Sequence, residues 1–98
     1  MKLESARAVE SHRMTMVEAI VQARAALGTM TTLAVDAIGR CERQANGGWT
    51  VKIDVIESMA RMGDNDLLAT FEIEMDGEGE PLRIERIRRY RREDRDQS

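Results

Sequence analysis

The sequence predicts an α+β domain in which one N-terminal helix packs across a four-stranded antiparallel β-meander, in two layers. Three observations predict it. Apolar residues recur at steps of three and four early in the chain, the repeat then changes to strict alternation, and short turns rich in glycine, asparagine and aspartate separate the alternating stretches. A helix with one apolar stripe and a sheet with one apolar face can bury both only by lying against each other. A chain of 98 residues supports one core. The single domain is expected over residues 15–92, with a polar segment at 1–14 that stays out of the core and a charged tail at 93–98.

The helix is read from Met16, Ile20, Ala23, Leu27 and Met30, with Glu18, Gln22 and Arg24 between them. Thr15 followed by Glu18 has the spacing of a capping box, in which each side chain satisfies the other residue's amide. Gly28 offers a left-handed stop, so the helix is expected over residues 16–27.

The first strand is expected over residues 35–43, and Asn46-Gly47-Gly48 then provides a hairpin turn. The next stretch, WTVKIDVIE, places Trp49, Val51, Ile53 and Val55 on one face and Thr50, Lys52 and Asp54 on the other. LLATFEIEM repeats the pattern, with Ala69, Phe71, Ile73 and Met75 inward and Thr70, Glu72 and Glu74 outward, and it ends in the turn Asp76-Gly77-Glu78-Gly79. The last strand is PLRIERIRRYRR. Leu82 and Ile84 continue the inward face, and a bulge near Glu85 or Arg86 would return Ile87 to it. Pairing Ile73 with Ile84 sets Glu74 opposite Arg83, with Glu72 diagonal to it. The inner face is rich in methionine, and Met16, Met30, Met59, Met62 and Met75 are read mainly as core filling.

Charge is segregated along the chain. The formal net charge is −3, with nine acids and one base over residues 54–80, and then six arginines against Glu85 over residues 83–92. The net charge and the acids beside the arginine run argue against a polyanion partner. A nucleic-acid-binding or regulatory domain that uses the run, with Tyr90 stacking a base, is the second reading. The site expected instead is a protein contact patch for an acidic partner at Arg86, Arg88, Arg89, Tyr90 and Arg92, because arginine and tyrosine are enriched at interface hot spots. The first strand, an open sheet edge, could also pair with its copy in a homodimer.

Catalytic, cofactor and metal sites are not expected. His12 is the only histidine and lies in the polar N-terminal segment, and Glu57, Asp64 and Asp66 lack the glycine and terminal glutamate of a calcium loop. Cys41, the single cysteine, is read as a half-buried strand residue. No apolar run approaches the ~20 residues that span a bilayer and no signal peptide is legible, so a cytoplasmic location is expected.

Gly48-Trp49, the run from Val51 through Glu57, the loop Asp64-Asn65-Asp66-Leu67-Leu68 and the closing Arg88-Arg89-Tyr90-x-Arg92 stand in a set order that resembles the gas vesicle protein O (GvpO) family. The resemblance covers about residues 38–92. Met62-Gly63-Asp64 stands where many members have a proline-containing loop. The resemblance implies a non-enzymatic accessory protein required for forming gas vesicles, associated with them and working through contacts with other gas vesicle proteins, either the shell subunit or other accessory proteins.

Overall fold

The computed structural model describes residues 13–61 and 65–97, with side chains described as far as residue 94. The readings of His12, Met62 and Asp64 lie outside those residues, as does all but the end of the polar segment 1–14. Helix α1 (Met16–Met30) is followed by strands β1 (Ala34–Arg43), β2 (Trp49–Ser58), β3 (Leu67–Met75) and β4 (Pro81–Arg91), and by a short helix α2 (Arg92–Gln97) that begins at the last residue of the expected domain and runs into the expected tail. The strands form one antiparallel sheet in the order β1-β2-β3-β4. This is the open two-layer α+β architecture that the repeat pattern predicts.

The capping box forms as read. The Thr15 amide donates to Glu18 Oε1 at 2.8 Å and the Glu18 amide donates to Thr15 Oγ1 at 3.2 Å, which satisfies two of the four amides that a helix start leaves without partners. Gly28 does not end the helix. It continues to Met30, and Thr31, in extended conformation, closes it by donating its amide to the Leu27 carbonyl. The buried stripe of α1 is Ala19, Ala23 and Leu27, whereas Met16 and Met30 are 52% and 58% exposed. Small alanines at the centre of the contact let the helix approach the sheet closely, and the methionines at its two ends overhang the sheet. Met59 is exposed as well, so among the methionines read as core filling and described by the structure only Met75 is buried. Met14 is also buried, at the end of the segment expected to stay out of the core. Arg43 donates to the Met14 carbonyl at 3.1 Å and its guanidinium stacks over Trp49 at 4.8 Å, so the entry to the helix is tied to β1 and β2.

The inner face holds Trp49, Val51, Ile53 and Val55 from β2 and Ala69, Phe71, Ile73 and Met75 from β3, all buried. Both hairpin turns take their expected positions. Gly47 and Gly79 have φ of 91° and 90°, a backbone region that favours glycine, and Asp76 Oδ1 accepts the amides of Glu78 and Glu80, both at 2.9 Å.

The register of β3 against β4 starts as expected and then departs. Ile73 pairs with Ile84 and Glu74 with Arg83, and Arg83 bridges to Glu74 at 3.2 Å, Glu72 at 3.4 Å and Glu85 at 3.0 Å. Leu82, however, is an extra residue between Arg83 and Pro81 and is 64% exposed, so it does not continue the inner face. The second bulge sits at Ile87, where Thr70 pairs with Arg88 and Phe71 with Arg86. It leaves Ile87 39% exposed, where a bulge one or two residues earlier would have returned it to the core. On the opposite edge, Asp36 and Gly39 are the extra residues of two bulges in β1. Pairing of β1 with a second copy would have to bridge both, and bulges of this kind are one way natural sheets blunt an edge.

The core therefore hinges on Trp49, 4% exposed and stacked under Arg43. Trp49→Ala is expected to lower stability by ~3–5 kcal/mol, a large share of the ~5–15 kcal/mol typical of a domain. Denaturant midpoints of the two proteins measure it, and a loss under ~1 kcal/mol would contradict the packing described.

Candidate functional site

The arginine-rich strand β4 does not present its residues as one patch. Before the bulge at Ile87, Ile84 and Arg86 lie on the helix side of the sheet and Arg83 and Glu85 on the solvent side. The extra residue shifts the alternation, so that afterwards Arg89 and Arg91 lie on the helix side and Arg88 and Tyr90 on the solvent side. Four of the five residues expected to form the contact are thereby divided between two faces, and the fifth, Arg92, begins α2.

On the helix side, Arg86 and Arg89 converge on Glu57. Arg86 Nη1 lies 2.8 Å from Glu57 Oε2 and Arg89 Nε lies 2.6 Å from Glu57 Oε1. Glu57 is the extra residue of a bulge in β2, between Ile56 and Ser58, so the contact crosses β3. The residue between is Ala69, which pairs with Val55 on one side and Arg89 on the other, and its methyl group leaves room for the two side chains to pass. The arginine side chains stay about half exposed while Glu57 keeps only 15% exposure. The anion at the centre is therefore the partly buried partner, satisfied by one donor on each oxygen.

On the solvent side, Tyr90 Oη donates to Asp54 Oδ2 and Thr70 Oγ1 donates to Asp54 Oδ1, each at 2.7 Å. Asp54 and Thr70 are 8% and 7% exposed, a degree of burial on an outward face that alternation alone does not foretell. Arg88 lies over the Tyr90 ring at 4.3 Å. Arg92 reaches Asp36 at 3.0 Å and Asp66 at 3.1 Å. Asp66 also accepts the Ala60 amide at 2.8 Å, and its carbonyl accepts the Arg92 amide at 3.0 Å. Leu68, on the same outward row as Tyr90, is fully buried. The β2–β3 loop and the start of α2 are thus fastened together at this end of the sheet.

Of the expected contact residues, Arg86, Arg89 and Arg92 carry carboxylate partners within the chain and Tyr90 carries Asp54, while Arg88 rests on Tyr90. Glu57 and Asp66, weighed from the sequence as cation ligands, instead hold arginines. Among the described residues, three or more histidine, cysteine or acidic side chains do not converge anywhere in a way that could hold a metal ion, and no helix is long and apolar enough to cross a membrane. Cys41 is half-buried and burial pushes its thiol pKa up, which disfavours the reactive thiolate.

Burial pushes the Glu57 carboxyl up, but the hydrogen bonds and charges of Arg89 and Arg86 outweigh it and hold the group below its usual range. The Ala60 amide first, and Arg92 second, hold Asp66 down as well. Groups depressed in the folded state add stability that is present above the unfolded carboxylate range of about 4 and is lost as pH falls through their folded values. Stability should therefore stay level above that range and decline below it. Glu57→Gln should lower the neutral-pH stability and make the acid decline shallower, as read from denaturant midpoints over a pH series. An unchanged slope would contradict the ion pairs.

The sequence model of a family described as gas vesicle synthesis protein GvpO matches residues 2–96. A curated relative, gas vesicle protein O of Streptomyces sp. (strain CB03234), is 38% identical over 75 residues, which is 76% of this chain and 57% of the relative. The chain thus covers somewhat more than half the length of that relative. No solved structure matches the chain. The match spans the helix, all four strands and the arginine-rich end that organises both faces, and the chain belongs to the gas vesicle synthesis protein GvpO family.

Proposed function

We propose that this chain is a non-enzymatic accessory protein that works in gas vesicle formation through contacts with other gas vesicle proteins, in the cytoplasm and in association with the vesicles. The observation that carries the reading is the family match over residues 2–96, with the gas vesicle protein O relative in support.

The contact proposed from the arginine run centres on Arg88 and Tyr90. Arg86 and Arg89 lie on the opposite face and Arg92 begins α2, and each already holds a carboxylate of its own chain. Arg88 is exposed, and its guanidinium is held in place over the Tyr90 ring. A pre-positioned arginine loses less side-chain freedom on binding than a free one. The same ion pairs weigh against nucleic acid, because a phosphate backbone would have to compete with Glu57, Asp36 and Asp66 for three of the six arginines.

Deleting the gene from its host should abolish or sharply reduce gas-filled shells in electron micrographs. Complementation with Arg88→Glu should give a protein with an unchanged circular dichroism spectrum and fewer vesicles. Arg89→Glu is the wrong probe, since it sets a second acid against Glu57 and costs fold stability. Normal vesicles in the deletion strain would contradict the accessory role, and normal vesicles with Arg88→Glu would contradict the Arg88 contact alone.

A further inference from the structure

The solvent-facing side of the sheet carries a cleft of about 260 Å³ lined by Gly39, Arg40, Lys52, Asp54, Thr70, Ile87 and Arg88. Its two walls are the bulges of the two edge strands. Gly39 is the extra residue of β1, next to Arg40, and Ile87 is the extra residue of β4, next to Arg88. Bulges re-aim the side chains beside them, and here they set Arg40 and Arg88 at the two sides of one hollow whose floor is Lys52, Asp54 and Thr70 of the central strands. Both oxygens of Asp54 accept internal hydroxyls, from Thr70 and Tyr90.

We propose that this cleft is a docking site for a carboxylate-bearing segment of a protein partner, with Arg40, Lys52 and Arg88 as the groups that hold it. Among the residues lining the cleft, three cations accompany one carboxylate, Asp54, that is already hydrogen-bonded. Arg40 has only an exposed pair with Glu42 at 3.6 Å, a kind of contact worth ~0–1 kcal/mol and easily exchanged. Guanidinium groups at the walls suit the planar fork of a carboxylate, and the lysine adds a point charge at the floor. Ile87, 39% exposed, offers an apolar wall to the methylene groups of a glutamate, which a phosphate lacks. Glu72 stands directly opposite Lys52 and Glu85 follows it in the same row, and Glu42 borders Arg40, so a long polyanion crossing the sheet would meet these acids while a short acidic segment stops short of them.

The inference deepens the Arg88 contact and rests on the accessory reading only for the partner's being a protein. Its test uses no gas vesicle, so the two fail separately. A hexaglutamate peptide titrated into the isotope-labelled full chain at low salt should shift the backbone amide signals of Gly39, Lys52, Thr70 and Arg88 first. Lys52→Glu combined with Arg88→Glu should weaken binding at least about tenfold, Lys52→Gln with Arg88→Gln should weaken it less, and Arg24→Glu on the far side of α1 should leave it unchanged. Circular dichroism checks each fold. Shifts centred elsewhere, absence of binding, insensitivity to both double variants, or tighter binding of an oligothymidylate of equal charge would each overturn the proposal.

Discussion

One extra residue, Ile87, governs most of what the arginine-rich strand does. Side chains alternate along a strand with a period of two, so a single insertion moves every later side chain to the other face. Before Ile87, Arg86 points to the helix side. After it Arg89 does, and Tyr90, which would otherwise have faced the helix, turns to the solvent side. Two arginines three positions apart thereby reach the same Glu57, and the tyrosine hydroxyl reaches Asp54. Without the bulge Arg89 and Tyr90 would each lie on the face away from its partner.

The consequence is a protein whose charge segregation along the chain is largely undone by folding. Acids of β2, β3 and the loop before β3 meet the arginines of β4 and of the start of α2 at Glu57, Glu72, Glu74 and Asp66, and Asp36 of β1 joins them. Exposed members of this set contribute little individually, but they fix register and join the four strands. What they leave to solvent on the outward face is a smaller cationic feature than the sequence suggests, made of Arg88 with Lys52 and Arg40. A small charged feature framed by acids is suited to choosing a partner more than to holding one tightly.

Much of this architecture was legible in the sequence because turns and alternation are local signals. The capping box, the turn at Gly47, the inner rows of β2 and β3 and the pairing of Ile73 with Ile84 all follow from residues close together in the chain. Features set by tertiary fit were not. Gly28 could have ended the helix, but it runs on to Met30 and closes where the Thr31 amide meets the Leu27 carbonyl, and Met14 is buried because Arg43 and Trp49 hold the chain there. Leu82 and Ile87 looked like inner-face residues, yet bulges expose both. Nor did the sequence pair Arg86 and Arg89 with Glu57, 29 and 32 positions away. One signal was available: Asp54, an acid midway along the clearest strand, would need partners, and Thr70 and Tyr90 are on the strands that follow.

The bulge places Arg89 on the same face as Glu57, and the two form an ion pair there. A double-mutant cycle with Glu57→Gln and Arg89→Gln, read from denaturant unfolding at neutral pH and low salt, tests it most directly. The expected result is a favourable coupling of roughly 0.5–1.5 kcal/mol that shrinks in high salt. A coupling of zero, with the two substitutions simply additive, would contradict it.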